Sequence, residues 1–292
     1  EMGIVLTPRH ITKFAVDTIN VTINDIVYDL TCGTGGFLVS AFDHAKKNAN
    51  EDQINKFKRN NLFGVEQDSK VLSLAIVNMI FRGDGKNNIV EGDCFQKYLV
   101  KSVSTTGDPT AEFVKSEPKN HQPPVTKVLM NPPFATKKTS QKEYKFIDQA
   151  LEQMQDSGLL FSVLPYSIMV KSKQFQRWRQ KLLASNTLLS VITFPPALFY
   201  PIGVVTIGVF IKKGIPHPKN QNVLWIRAVN DGFVISKGKR RPAPQTAPND
   251  LKTIKTMLKS FIVDQETKVD NINKFYKACP IDFSDKMLEL VQ

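Results

Sequence analysis

With 292 residues, 41% of them hydrophobic, and no apolar run longer than a strand, the sequence argues against a disordered polypeptide and against a membrane-spanning helix. Three cysteines without a Cys-x-x-Cys pair argue against a disulfide framework or a structural zinc site. The net charge of +12 is concentrated in residues 136–241, which carry 17 Lys/Arg against 5 Asp/Glu, a block that suits a polyanion better than a merely solvated surface.

Residues 1–10 hold no apolar segment behind a basic start, so no signal peptide is predicted and the expected location is cytoplasmic. Strands and helices are then predicted in alternation: strand 25–30, helix 36–48, strand 62–66, helix 69–82 and strand 88–92. Residues 97–126 lack a period and read as a long surface loop. Strand 127–131, helix 141–156, strand 159–164, helix 172–185 and strand 188–194 continue the pattern of a mostly parallel sheet covered by helices. Strand 204–213 follows too soon for a crossover helix and should be antiparallel to its predecessor. After a last strand at 223–228, residues 236–250 read as an exposed basic linker and 251–292 as a helical tail, leaving 1–235 as the catalytic domain.

Chemistry is expected where the strands end. Asn131-Pro132-Pro133-Phe134 directly follows a strand, and the carboxyl ends of parallel strands are where open α/β sheets bind ligands. An aromatic amine is a poor nucleophile because its lone pair is delocalised. Two acceptors, the Asn131 side-chain oxygen and the Pro132 carbonyl, can hold its hydrogens so that the lone pair points at an electrophile, with Phe134 stacked on the ring. Proline fixes φ and offers a carbonyl without a competing N–H. A proline-stiffened loop is the plain alternative.

Asp29-Leu30-Thr31-Cys32-Gly33-Thr34-Gly35-Gly36 is a glycine-rich turn between strand and helix. Its glycines admit close approach of a ligand, and Asp29 can hold an ammonium group. Leu38 occupies the place where a dinucleotide fingerprint needs a small residue, which favours adenosylmethionine over a pyrophosphate. Glu66 and Asp93 end the next two strands, beside Gln67 and Cys94. They are candidates for the ribose hydroxyls and the adenine amine, or else are helix caps.

Taken in order, these residues resemble the gamma class of amino-methyltransferases, above all the modification subunits of type I restriction systems and related fused enzymes. Thr7-Pro8-Arg9-His10 is similar to that family's Thr-Pro element at the cofactor's methionine end. Phe194-Pro195-Pro196-Ala197-Leu198-Phe199-Tyr200-Pro201 is similar to its segment enclosing the flipped base. The resemblance implies a Rossmann-like, class I methyltransferase fold with a seven-stranded, mostly parallel sheet. It further implies S-adenosylmethionine as cofactor, N6 of a flipped adenine in double-stranded DNA as substrate, and specificity and restriction subunits as partners. The base must leave the duplex to be reached, and Lys137, Lys138, Lys171, Lys173, Arg177 and Arg179 are expected near the DNA entrance, with Phe199 or Tyr200 as a second stacking wall. Two other readings stay open: methylation of a protein glutamine or an RNA guanine nitrogen, and a non-catalytic DNA-binding subunit.

Overall fold

The computed structural model describes residues 5–83, 88–116, 122–135, 142–170, 172–264 and 276–280. The chain divides into two compact units, Glu1–Ser162 and Val163–Gln292.

The first unit runs through α1 (Arg9–Ile19), β1 (Val27–Asp29), α2 (Gly36–Ala45), α3 (Glu51–Asn60), β2 (Leu62–Glu66), α4 (Ser69–Ile80), β3 (Ile89–Glu91), β4 (Tyr98–Val103), β5 (Pro109–Val114), β6 (Val125–Met130), α5 (Glu143–Glu152) and β7 (Met154–Pro165), whose last residues pass into the second unit. Its sheet has the order β7-β6-β1-β2-β3 with every pair parallel. β1 is buried along its length, as a parallel strand covered on both faces must be. The chain leaves β1 toward β2 and β3, then returns to lay β6 on the other side. The crevice above β1 and β6 is therefore a topological switch point.

Helix starts follow local chemistry. Asp68 caps α4 by accepting from the Lys70 and Val71 N–H groups. Asn50 and Gln53 form a capping box on α3, a helix that hydrophobic periodicity does not reveal because only Phe57 and Asn60 are buried.

Two expectations fail in this unit: the helix expected over 141–156 ends at Glu152, with Met154, Gln155 and Asp156 already in β7, and the expected loop holds a hairpin. Residues 97–126 are not an aperiodic loop: β4 and β5 pair antiparallel as a hairpin from Tyr98↔Val114 to Val103↔Pro109. Leu99 and Ala111 are buried, and Phe113 meets Tyr28 and Phe63 edge-on at 6.1 and 5.9 Å. Three apolar anchors fix a hairpin whose remaining positions are half-buried or exposed.

The second unit contains α6 (Ser167–Val170), α7 (Ser172–Ser185), β8 (Thr187–Thr193), β9 (Thr206–Lys212), β10 (Asn222–Arg227), β11 (Phe233–Ser236), β12 (Lys239–Pro242), α8 (Asp250–Val263) and β13 (Tyr276–Pro280). β9 is antiparallel to β8, as the short connection requires. β10 lies parallel to β8 and antiparallel to β13. Among the described residues the larger sheet of each unit thus holds five and four strands, against the seven expected in all. The residues expected to form a linker include β12, which pairs with β11, and the tail expected to be helical supplies β13 after α8. β12, Lys239-Arg240-Arg241-Pro242, has no apolar side of its own apart from the proline, and β13 is too short for its period to register. Among the described residues no helix is long and apolar enough to cross a membrane.

Candidate functional site

β1 and β6 are neighbours with Tyr28 beside Val128, so Asp29, the last residue of β1, and Asn131, the first after β6, emerge at the same end of adjacent strands. The turn leaving β1 is clamped from two sides. Cys32 N–H donates to the Val65 carbonyl, Gly33 N–H donates at 2.9 Å to Glu66 Oε2, and Asn78 Nδ2 on α4 donates at 2.9 Å to the Thr34 carbonyl. Gly33 and Gly35 adopt φ of +55° and +78°, which L side chains rarely reach. A Cβ on Gly33 would meet nothing within 4 Å, so the space over the turn is open.

Two oxygens face this cradle without a partner. Asp29 is 1% exposed; its Oδ1 accepts from Thr31 N–H at 3.1 Å while Oδ2 has no hydrogen bond, and Thr31 Oγ1 is likewise buried and unpartnered. Burial pushes the Asp29 carboxyl well above the usual carboxylate range; the Thr31 N–H opposes the shift and nearby Glu66 adds to it. An unsatisfied buried carboxylate oxygen is costly unless a cation joins it.

Asn131 completes the constellation. Its Nδ2 donates to the Thr7 hydroxyl at 3.0 Å and to the Val5 carbonyl at 3.3 Å, which consumes both amide hydrogens. Oδ1 is left buried with no partner. Pro132 is buried, Pro133 exposed and Phe134 half-buried. The loop beyond is held by Glu143, 5% exposed at the first position of α5, whose Oε1 accepts from Ala135 N–H at 2.6 Å. Sequence reading did not mark Val5 or Glu143. Glu143 at a helix start eight residues after Ala135 was the available signal; Val5 acts through its backbone and left none.

The other candidates sort by burial and partners. Thr7 meets Asn131, and the Pro8 carbonyl accepts from Ile11 and Thr12 to open α1. Glu66 is engaged on both oxygens, by Gly33 N–H and by Asp68 N–H at 2.9 Å. Asp93 caps a short 3₁₀ turn through Phe95 N–H, the plain role foreseen for it. Gly35 is the residue before α2 and Gly36 its first, while Gln67 is exposed. Cys32 is buried against Gly64, and burial raises its thiol well above the ordinary range; burial and Asp93 push the Cys94 thiol up to about 12. Neither sulfur is poised as a nucleophile.

In the second unit Phe199 is 5% exposed and belongs to the core, whereas Tyr200 is 42% exposed. Of the two, Tyr200 is the open ring. Arg177 is exposed on α7, whereas Arg179 donates at 3.0 Å to the Ile168 carbonyl and braces α6 against α7. Lys137, Lys138 and Lys171 lie outside the described residues, as does the side chain of Lys173.

A parallel sheet with a glycine cradle and an unpaired acid at its switch point defines the class I S-adenosylmethionine-dependent methyltransferase fold. More narrowly, the chain belongs to the N-6 DNA methylase family, whose model matches residues 1–283. It is 36% identical over 244 residues to the type II restriction enzyme and methyltransferase RM.BcgI of Heyndrickxia coagulans, covering 81% of this chain and 35% of that protein. It is 27% identical over 225 residues to the type I restriction enzyme EcoEI methylase subunit of Escherichia coli, covering 72% and 42%. The solved type I restriction-modification system methyltransferase subunit of Streptococcus thermophilus superposes with a TM-score of 0.67 at 20% identity, covering 96% of this chain and 56% of that one. The chain thus spans less than half the length of these two sequence relatives.

Proposed function

We propose that this chain is the catalytic part, centred on residues 1–235, of a DNA methyltransferase that places a methyl group on N6 of an adenine turned out of the duplex, within a restriction-modification system. The carrying observation is Asn131: an amide whose nitrogen is spent on Thr7 and Val5 and whose buried oxygen is unpartnered at the switch point. That oxygen is fixed as an acceptor before any substrate arrives. With the Pro132 carbonyl it can take the two hydrogens of an exocyclic amine, while Phe134 supplies an aromatic face for the base.

The cofactor fits the chain's own groups. Asp29 Oδ2 suits an ammonium, Thr31 Oγ1 a polar neighbour, and the open space over Gly33 a ligand pressed against the turn. Glu66 and Asp93 each retain acceptor capacity for ribose hydroxyls and an adenine amine. Bound there, S-adenosylmethionine supplies an electrophilic methyl on a sulfonium. Names of the relatives, a restriction enzyme and methyltransferase and a type I methylase subunit, support DNA as substrate and specificity and restriction subunits as partners. The excess of 17 basic over 5 acidic residues in 136–241 supports the same polyanion, with Lys137, Lys138, Lys171, Lys173 and Arg177 as candidate contacts.

Incubation of the intact protein with radiolabelled cofactor and duplex DNA tests this reading. Label on N6 of adenine, reduced at least about 100-fold by Asn131→Ala, is expected. Label on protein or RNA, or none with the native chain, would overturn it.

A further inference from the structure

Ser236-Lys237-Gly238-Lys239-Arg240-Arg241 is the most basic stretch of the second unit, and it forms a hairpin rather than a linker. β11 and β12 pair with Val234 opposite Arg241, Ile235 opposite Arg240 and Ser236 opposite Lys239, around a turn where Lys237 and Gly238 take φ of +49° and +67°. Because side chains alternate along a strand, Lys239 and Arg241 share one face and Arg240 takes the other. Lys237, Lys239 and Arg241 are exposed, and among the described residues none of them joins an ion pair.

Arg240 behaves differently. It is 12% exposed, pairs with Asp231, itself 2% exposed, and stacks 5.6 Å from the Phe233 ring. Its other terminal nitrogen donates to the carbonyl of Ala197. That same carbonyl accepts the N–H of Tyr200 at 3.1 Å, so one oxygen joins the hairpin to the turn that presents the open aromatic. The hairpin base is itself pinned: Asp250 accepts from the Val229 and Asn230 N–H groups, and Ala243 N–H donates to the Gly232 carbonyl. The basic fingertip and the exposed ring therefore stand on one braced piece of chain.

We infer that the β11–β12 hairpin binds the DNA backbone: Lys237, Lys239 and Arg241 meet phosphates, and Arg240 is a positioning residue that sets the Tyr200 turn. A basic strip next to an aromatic is what a strand with an unstacked base requires, since the charges track its backbone and the ring covers its π-face. This inference rests on the DNA-methyltransferase reading above and names the surface that serves it.

The experiment measures the salt dependence of binding of the intact protein to a mixed-sequence duplex. Replacing Lys237, Lys239 and Arg241 together by Ala lowers the slope of log K against log salt by about 0.9 for each phosphate that the hairpin no longer neutralises, up to about 2.7. The charge-preserving set Lys237→Arg, Lys239→Arg, Arg241→Lys keeps the native slope. Arg240→Lys, which keeps the charge but loses the fork, lowers kcat roughly tenfold with the slope unchanged. A folded triple-Ala protein with the native slope overturns the role of the hairpin while leaving the methyltransferase reading intact. A native protein that binds no DNA overturns that reading itself.

Discussion

An asparagine amide has a donor end and an acceptor end, and only its surroundings decide which of the two meets a ligand. At Asn131 the Val5 carbonyl decides, because a carbonyl can only accept and so must face Nδ2; the Thr7 hydroxyl then takes the second hydrogen. Thr7 is thereby a positioning residue for the acceptor oxygen. Thr7→Val removes a hydrogen bond worth about 1 kcal/mol and is expected to lower kcat about 5- to 10-fold, whereas Thr7→Ser keeps the hydroxyl and stays near the native rate. Steady-state kinetics with varied cofactor check it: a Thr7→Val defect confined to the cofactor's KM would mean that Thr7 serves the cofactor alone. At this scale the candidate acceptor was legible, since Asn131-Pro132-Pro133-Phe134 and Asp29 are side-chain signatures at strand ends. The clamp was not. Val5 contributes a backbone atom, which any residue carries, and Glu143 reads as an ordinary helix-start acid until Ala135 is seen to donate to it. Phe199 reads as well as Tyr200 for an open ring, and only burial separates them.

Elements position these residues by packing, and β2 packs closely against the glycine turn. A Cβ built on Gly64 would stand 2.8 Å from Leu38 Cδ1, 3.2 Å from Cys32 Sγ and 3.3 Å from Cys32 Cβ. Both neighbours belong to the glycine turn and the helix it opens, so strain at β2 is passed to that turn. Gly64→Ala is expected to destabilise the fold by about 1–3 kcal/mol through overpacking and to weaken cofactor binding, read by urea titration and by calorimetry. Cys32→Ala removes the crowding sulfur and is expected to restore part of both losses in the double variant; strict additivity of the two substitutions would rule out this route. Elements that bury a regular apolar stripe, such as α4 and α7, were legible with nearly correct bounds. α3, β4, β5, β12 and β13 were not, because their stability comes from a capping box, a few aromatic contacts or a partner strand rather than from a period.

At the scale of the whole molecule, a charge retained for a ligand is opposed by folding. Burial, chiefly, raises the Asp29 carboxyl well above 3.8. The ligand-free fold therefore carries stability that is fully present below 3.8 and is lost as pH rises through the raised value, because over that window unfolding releases a proton. A cofactor ammonium acts in the opposite sense, since it binds the ionised carboxylate and the stabilisation it confers grows over the same window. The expected result is a melting temperature that falls with rising pH without cofactor, and a gap between cofactor-bound and ligand-free melting that widens. Asp29→Asn keeps the acceptor for Thr31 N–H but has no charge to bury. Its ligand-free melting temperature is expected to exceed the native one at neutral pH, and the difference should vanish near pH 3.8, where both side chains are neutral in the folded chain. A cofactor present at about a hundred times its Kd stabilises by about 2.7 kcal/mol, and for about 150–250 residues each kcal/mol moves melting by about 2–4 °C. Subtracting the variant's melting profile from the native one cancels the titration of groups that do not interact with Asp29. A subtracted profile flat in pH, with and without S-adenosylmethionine, would remove Asp29 from the cofactor site.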